Sequence, residues 1–240
     1  EFRRVLFRSA ALVRHLAAQR CQVSYLAVDA GAALVLTSAQ AVSETPGVRC
    51  RRLVADLDAL DGFADFVEAQ GADVNILCAF GILPNTDPHT FVGRIAGWAG
   101  PADWVVLSAN LYDPSHDESA LGTILPQYDN AETRHWLATF FTELDWPVRG
   151  SDLRFSLDTR STPARIQAHL TLSEAVNVTL SERSIAVPAG SQFDVFFSNR
   201  FLSGEVPEFV ARHGLAVVDS AMTAERVEAV WVCQRRGADE

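Results

Sequence analysis

The sequence predicts an α/β protein: a parallel, doubly wound sheet carrying an antiparallel, β-rich insertion. Three observations lead there. Between residues 23 and 113, short β-branched apolar runs alternate with helical patterns at the spacing of βαβ units. From about residue 152 to 201, strand-like runs succeed one another with only turns between them, as hairpins do. After Gly204, one helix and two apolar runs read as a closing antiparallel pair. A chain of 240 residues, 48% hydrophobic, is long enough for one such domain with a sizeable insertion and too apolar for wholesale disorder.

Each element has its own signal. "EFRRVLFRS" has no initiator Met and fits no capping logic with the residues after it, so residues 1–9 read as a scar outside the fold. "AALVRHLAAQ" (10–19) has Leu12, Val13 and Leu16 at helical spacing. Val23 to Val28 is a buried strand ending on Asp29, and a helix covers about 31–44 before the Pro46-Gly47 break. A strand over 48–55 ends on Asp56, a short helix lies near 59–69, and "ADVNILCAFG" is a strand ending on Gly81. Residues 87–100 form a helix with Asp87 as N-cap and Pro88 at its first position. "DWVVLSANLYD" is the next strand. Residues 128–144 read as one amphipathic helix, and four strands come after it: "DLRFSLDT", "ARIQAHLTLS", "AVNVTLSE" and "SQFDVFFSNRF". In the last, Phe193, Val195 and Phe197 face one side, with Asp194, Phe196 and Ser198 on the other. "EVPEFVARHG" is a helix with Gly214 as its C′ residue, and "LAVVDSAM" and "RVEAVWVCQR" close the sheet. The resulting division is 10–111 for a partial Rossmann-like domain, 112–202 for an α+β insertion, and 203–240 for the closing elements.

A net charge of -10 argues against a general nucleic-acid or anionic-membrane binder. All twenty basic residues are Arg, which excludes a Lys Schiff base and a P-loop Lys. Cys21, Cys50, Cys78 and Cys233 lie far apart without metal-ligand spacing, and read as buried free thiols in a reducing cytoplasm. No stretch is long enough to span a bilayer. The expectation is a cytoplasmic monomer without a metal.

In a doubly wound sheet, ligands bind beyond the carboxyl ends of the strands. Three successive strand ends here carry Asp29, Asp56 and Gly81. An acid can accept from ribose hydroxyls or an adenine amino group, and a Gly lets backbone approach a ligand closely. Each also has a plain reading: a cap for Asp29 and Asp56, a turn for Gly81. In register, the three point to a nucleoside site. His135 and His169 read as surface or satisfied histidines, and Asp113, Asp117 and Glu118 as a solvated loop.

"YLAVDAGAAL", "VADLDA", "FGILPNTDPHTFVGRI", "LYDPSHDESALGTILPQYDNAE" and "SQFDVFFSNRF" occur in an order that resembles the histidine-specific, S-adenosylmethionine-dependent methyltransferases of the ergothioneine route. The resemblance runs from about residue 10 to 236. It implies a Rossmann-like class I methyltransferase sheet with S-adenosylmethionine as cofactor. By the same resemblance Asp29 holds the ribose, Asp56 and the Leu57 backbone read adenine, and Gly81 lines the methyl-donor site. Tyr128, in the family's Tyr-Asp-Asp position, contacts the substrate's carboxylate, and Ser198 matches the Ser of the Thr-Glu-x-Ser stretch.

Two positions depart from the family. Its Glu, which grips the imidazole, falls on Phe196, and its Asn, which holds the amino-acid end, falls on Ile82; Asn85 replaces that Asn only if the loop is shifted. A ring cannot replace a charged hydrogen-bond partner, so a more apolar amino acid or amine fits better than histidine. No general base stands out. The first strand of such a sheet and its glycine loop also have no counterpart before "AALVRHLAAQ", where "RVLF" holds the strand's place without the glycines. The chain therefore reads as amino-terminally truncated, with weak or no activity. The competing functions are a methyltransferase-like binding or regulatory protein without activity, and a nicotinamide oxidoreductase, which the closing antiparallel pair disfavours.

Overall fold

The computed structural model describes residues 2–112, 124–180 and 183–237. It opens with α1, Phe2–Ala18. The helix was expected only from residue 10; it instead runs back through the segment set apart as a scar, and "RVLF" is helical, not a strand. The physical reason lies in the composition: no Gly or Pro interrupts this stretch, which is rich in Arg, Leu and Ala. Arg8 forms an ion pair with Glu228, and Ala10 and Val13 are buried with Val42.

β1 (Val23–Asp29) and β2 (Val48–Val54) pair in parallel across α2 (Ala32–Ser43). A 3-10 turn, Leu57–Ala59, leads to α3 (Phe63–Glu68), shorter than expected because Gly62, at φ 72°, holds the chain in a left-handed turn before it. β3 (Ile76–Ala79), a second 3-10 turn (Leu83–Asn85), α4 (Pro88–Trp98) and β4 (Trp104–Asn110) complete the alternation. β3 pairs in parallel with β4, β11 (Glu228–Arg235) runs antiparallel to β4, and β10 (Leu215–Met222) antiparallel to β11. Just before β10 lies α6 (Val206–Ala211), and Gly214 takes φ 77° after it.

Among the described residues the strands expected in one doubly wound sheet fall into two ladders, β1-β2 and β10-β11-β4-β3. Among the described residues no ladder joins β1 to β3, and burial matches the split. β1 buries only Ala27, whereas β4 buries Val105, Leu107, Ser108 and Ala109. The main core lies between the four-stranded sheet and helices α4 and α6, with Val92, Ile95, Leu107, Val210 and Trp231 at its centre. Each such side chain contributes about 1.5–3 kcal/mol by leaving water.

The insertion holds a helical turn over 124–128 and α5 (Ala131–Glu143). The single helix expected over 128–144 is interrupted because Asn130 takes an extended conformation and caps α5 through Thr133 N–H. Strands β5 (Leu153–Asp158), β6 (Ala164–Thr171) and β9 (Gln192–Arg200) form an antiparallel sheet in the order β5-β6-β9. β7 (Val176–Leu180) pairs with β8 (Arg183–Val187), a strand the sequence reading did not single out.

The four cysteines are free, but Cys21 and Cys78 are exposed and Cys50 half-buried, so the expectation of buried thiols holds only for Cys233. Among the described residues β3 has no partner on one side, and Cys78 lies on that strand. Burial pushes the Cys233 thiol up to about 12. Among the described residues no helix is long and apolar enough to cross a membrane.

Candidate functional site

The parallel register pairs Asp29 with Val54, two residues before Asp56, so the two acids stand at one rim of β1-β2. Asp29 Oδ1 accepts from Gly31 N–H at 2.7 Å, and Asp56 Oδ1 accepts from Asp58 N–H at 2.9 Å. Each carboxylate therefore caps the turn just after it, as the plain reading had it. Each also keeps its second oxygen without a hydrogen-bond partner among the described residues, which leaves an acceptor for a ligand. The Leu57 carbonyl accepts from Arg94 Nη1 at 2.6 Å. Its N–H, the first of the 3-10 turn, has no acceptor within that turn.

Gly81 lies on the other sheet, two residues past β3, at φ 73°. Its N–H donates to the buried Ser108 Oγ of β4 at 3.0 Å, which fixes the bare backbone position against the neighbouring strand. Ile82 packs against the main core. Asn85 N–H donates to the Ile82 carbonyl at 2.9 Å, and the buried Asn199 Nδ2 donates to the carbonyls of Leu83 and Thr86, both at 2.8 Å. The loop is thus held from β9.

Tyr128 and Ser198 meet: their hydroxyl oxygens are 3.2 Å apart. Phe196 stands beside them, its ring 5.5 Å from that of Tyr128. Strict alternation along β9 fails here. A bulge opposite Ala168 and His169 skips Val195, and Phe193, Val195 and Phe196 all pack on the insertion's core with Phe141, Leu153 and Leu170. Arg200, which the sequence reading passed over, is buried; its Nη2 donates to the Tyr128 hydroxyl at 2.7 Å and its Nη1 to the Leu111 carbonyl at 3.2 Å. Arg165 Nε donates to Asn199 Oδ1 at 2.9 Å, and its guanidinium lies over the Phe197 ring. β9 therefore ties the end of β4, through Leu111, to the loop after β3, through Asn199. The only signal for this in the sequence is the polar triplet Ser198-Asn199-Arg200 closing an apolar strand.

Two groups stand: a carboxylate rim at β1-β2, and a cluster of Tyr128, Phe196, Ser198 and Arg200, whose strand is tied through Asn199 to the loop after β3. His135 is exposed, and His169 pairs with Asp194 at 2.6 Å on the surface. Asp113, Asp117 and Glu118 lie outside the described residues. Among the described residues no group of three or more His, Cys, Asp or Glu side chains could hold a metal.

A family model described as histidine-specific, SAM-dependent methyltransferase matches residues 6–235. No curated protein matches the chain. Among solved structures, an S-adenosylmethionine-dependent methyltransferase from Clostridium acetobutylicum ATCC 824 is similar at 8% identity and a TM-score of 0.44, over 99% of this chain and 93% of that one. The Burkholderia thailandensis 1,6-didemethyltoxoflavin-N1-methyltransferase, bound to 1,6-didemethyltoxoflavin and S-adenosylhomocysteine, is similar at 12% identity and 0.44, over 97% and 79%. The glycopeptide N-methyltransferase MtfA with S-adenosyl-L-homocysteine is similar at 10% identity and 0.42, over 93% and 77%.

Proposed function

This chain belongs to the histidine-specific, S-adenosylmethionine-dependent methyltransferase family, and from that membership we propose that it methylates a nitrogen of an amino acid or related amine other than histidine. Methyl transfer is the reaction class and S-adenosylmethionine the cofactor. The acceptor is read from Phe196 and Ile82. The family's imidazole-gripping Glu is replaced by a ring packed on an apolar core, and its Asn by a half-buried side chain packed against another.

The rim fits the cofactor. The free oxygens of Asp29 and Asp56 suit ribose hydroxyls and an adenine amino group, and the Leu57 N–H suits an adenine ring nitrogen. Gly81, held at positive φ, carries no Cβ to crowd the donor. When bound, S-adenosylmethionine supplies an electrophilic methyl on a sulfonium. The chain's own residues do the rest by position. Ser108 holds Gly81, Tyr128 and Ser198 orient the acceptor, and Phe196 walls out water, which favours the neutral amine that can attack. In this reading residues 10–111 and 203–240 bind the donor, and 112–202 the acceptor.

The test is mass-spectrometric detection of methylated products from a panel of amino acids and amines, with S-adenosylhomocysteine binding measured by calorimetry. Methylation of an apolar amino acid or amine, with histidine left unmodified, is expected. Histidine as the preferred acceptor overturns the substrate reading. S-adenosylhomocysteine binding with no product across the panel favours a binding or regulatory protein instead.

A further inference from the structure

Among the described residues no ladder joins β1-β2 to the four-stranded sheet, yet one side chain reaches from a helix on that sheet to the carboxylate rim. Arg94 lies on α4, which Phe91, Val92 and Ile95 anchor in the main core. Its Nη1 donates to the Leu57 carbonyl at 2.6 Å and to Asp58 Oδ1 at 3.3 Å. The Leu57 carbonyl and the Asp58 N–H belong to one planar peptide group and lie on opposite sides of it. That N–H donates to Asp56 Oδ1 at 2.9 Å. A single peptide plane is therefore held by the guanidinium at one end and by the Asp56 carboxylate at the other. Drawing on the carbonyl oxygen polarises the amide and strengthens its N–H as a donor. Asp56 is exposed, and an exposed carboxylate without such a hold samples several rotamers. With Oδ1 engaged, its second oxygen is the acceptor left for a ligand.

We propose that Arg94 is a positioning residue for the donor's base: through the Leu57–Asp58 peptide it aims Asp56 at the adenine amino group, and so sets the preference for adenine over a base with a carbonyl oxygen in that place. The inference rests on the donor reading of the carboxylate rim. A carbonyl oxygen and a carboxylate are both acceptors and repel, so the preference measures how firmly Asp56 is held. Because α4 packs on the four-stranded sheet, the same contact ties the base-reading turn to the sheet whose β3 leads to Gly81.

Calorimetry on the full chain compares S-adenosylhomocysteine with S-inosylhomocysteine, in which a carbonyl oxygen replaces the 6-amino group. The unmodified protein is expected to bind the adenine form about tenfold or more tighter, the scale of a lost charged hydrogen bond. Arg94→Met, which keeps an apolar stem and removes the guanidinium, is expected to bring that ratio to within about threefold of parity, chiefly by weakening S-adenosylhomocysteine. Arg94→Lys, which supplies a point donor, is expected to recover part of the ratio. A general loosening of the fold weakens both ligands alike, so an unchanged ratio in Arg94→Met overturns the proposal while the donor reading stands. In an Asp56→Ala background, Arg94→Met is expected to leave the ratio where Asp56→Ala alone puts it. A further fall there means that Arg94 acts on the base by another route, and overturns the relay through Asp56. If the unmodified protein binds neither ligand, or both equally, the donor reading of the rim fails and the proposal falls with it. Should Arg94→Met not fold, as judged by circular dichroism, Arg94→Gln reads the same ratio.

Discussion

At Asn199, one carboxamide does three things: Nδ2 donates to two loop carbonyls and Oδ1 accepts from Arg165. Its burial makes each bond matter, because removing the side chain takes away the donor shared by the Leu83 and Thr86 carbonyls. Asn199→Ala is expected to cost about 2–3 kcal/mol, the penalty for buried unsatisfied acceptors. Urea unfolding measures it, and a midpoint equal to the unmodified protein's would show that the loop is held some other way. Phe196→Glu makes the complementary test of the pocket. Restoring the family's carboxylate beside Tyr128 is expected to bring histidine into the product list, at some loss of stability because the ring packs on the insertion's core. Asn199 and Arg200 were not legible in the sequence, where polar residues at a strand end suggest solvent. Their burial comes from β9 lying across the ends of β3 and β4, which no local pattern encodes. Asp29, Asp56 and Gly81 were legible as strand ends because strand-like runs stop at or just before them.

Among the elements, α4 was read most directly. Asp87 caps it through Thr90 N–H at 2.8 Å, with Pro88 in the first turn. β8 was missed because "RSIAV" is short and mostly exposed, and the β9 bulge because "FDVFF" keeps a plausible alternation through it. Helix α4 also meets the end of α6 through a histidine pair, His89 Nδ1 to His213 Nε2 at 3.1 Å, with the Phe209 ring beside both. Burial, then the charges of His89 and Arg212, hold the His213 imidazole below its ordinary value, against the opposing pull of Asp87. A histidine with a lowered folded pKa takes up a proton more readily when unfolded, so its contribution is full above about pH 6.5 and is lost as pH falls below that. The Asp87 carboxyl is itself held low by its bonds to Thr90, so its contribution is lost only near the carboxylate range. Between pH 7.5 and 5.5, denaturant midpoints are therefore expected to fall, and His213→Gln to flatten the fall. An unchanged slope in that variant would assign the pH dependence elsewhere.

Across the whole molecule, the division of the sheet sets what is firm and what is loose. Among the described residues β4 has partners on both sides, β3 and β11, while β1 pairs only with β2 and β3 only with β4. A two-stranded sheet is marginal by itself, so β1-β2 depends on α1 and α2 packing beside it. Among the described residues its ties to the rest of the chain include Arg8 to Glu228 and Arg51 to Gln70. Amides facing an unpaired edge open without breaking a full ladder. Hydrogen exchange is therefore expected to run fastest in β1 and β2, and slowest in β4 and β11, where both edges are covered. Glu228→Gln, which weakens the tie to α1, is expected to speed exchange in α1 and β1 while leaving β4 as it was. S-adenosylhomocysteine is expected to do the reverse, slowing residues 29–32 and 54–59 at the carboxylate rim while peptides from β5 and β6 stay unchanged. Protection of β1 equal to that of β4 without ligand would mean that its open edge is covered in solution, and the split between the sheets would not stand.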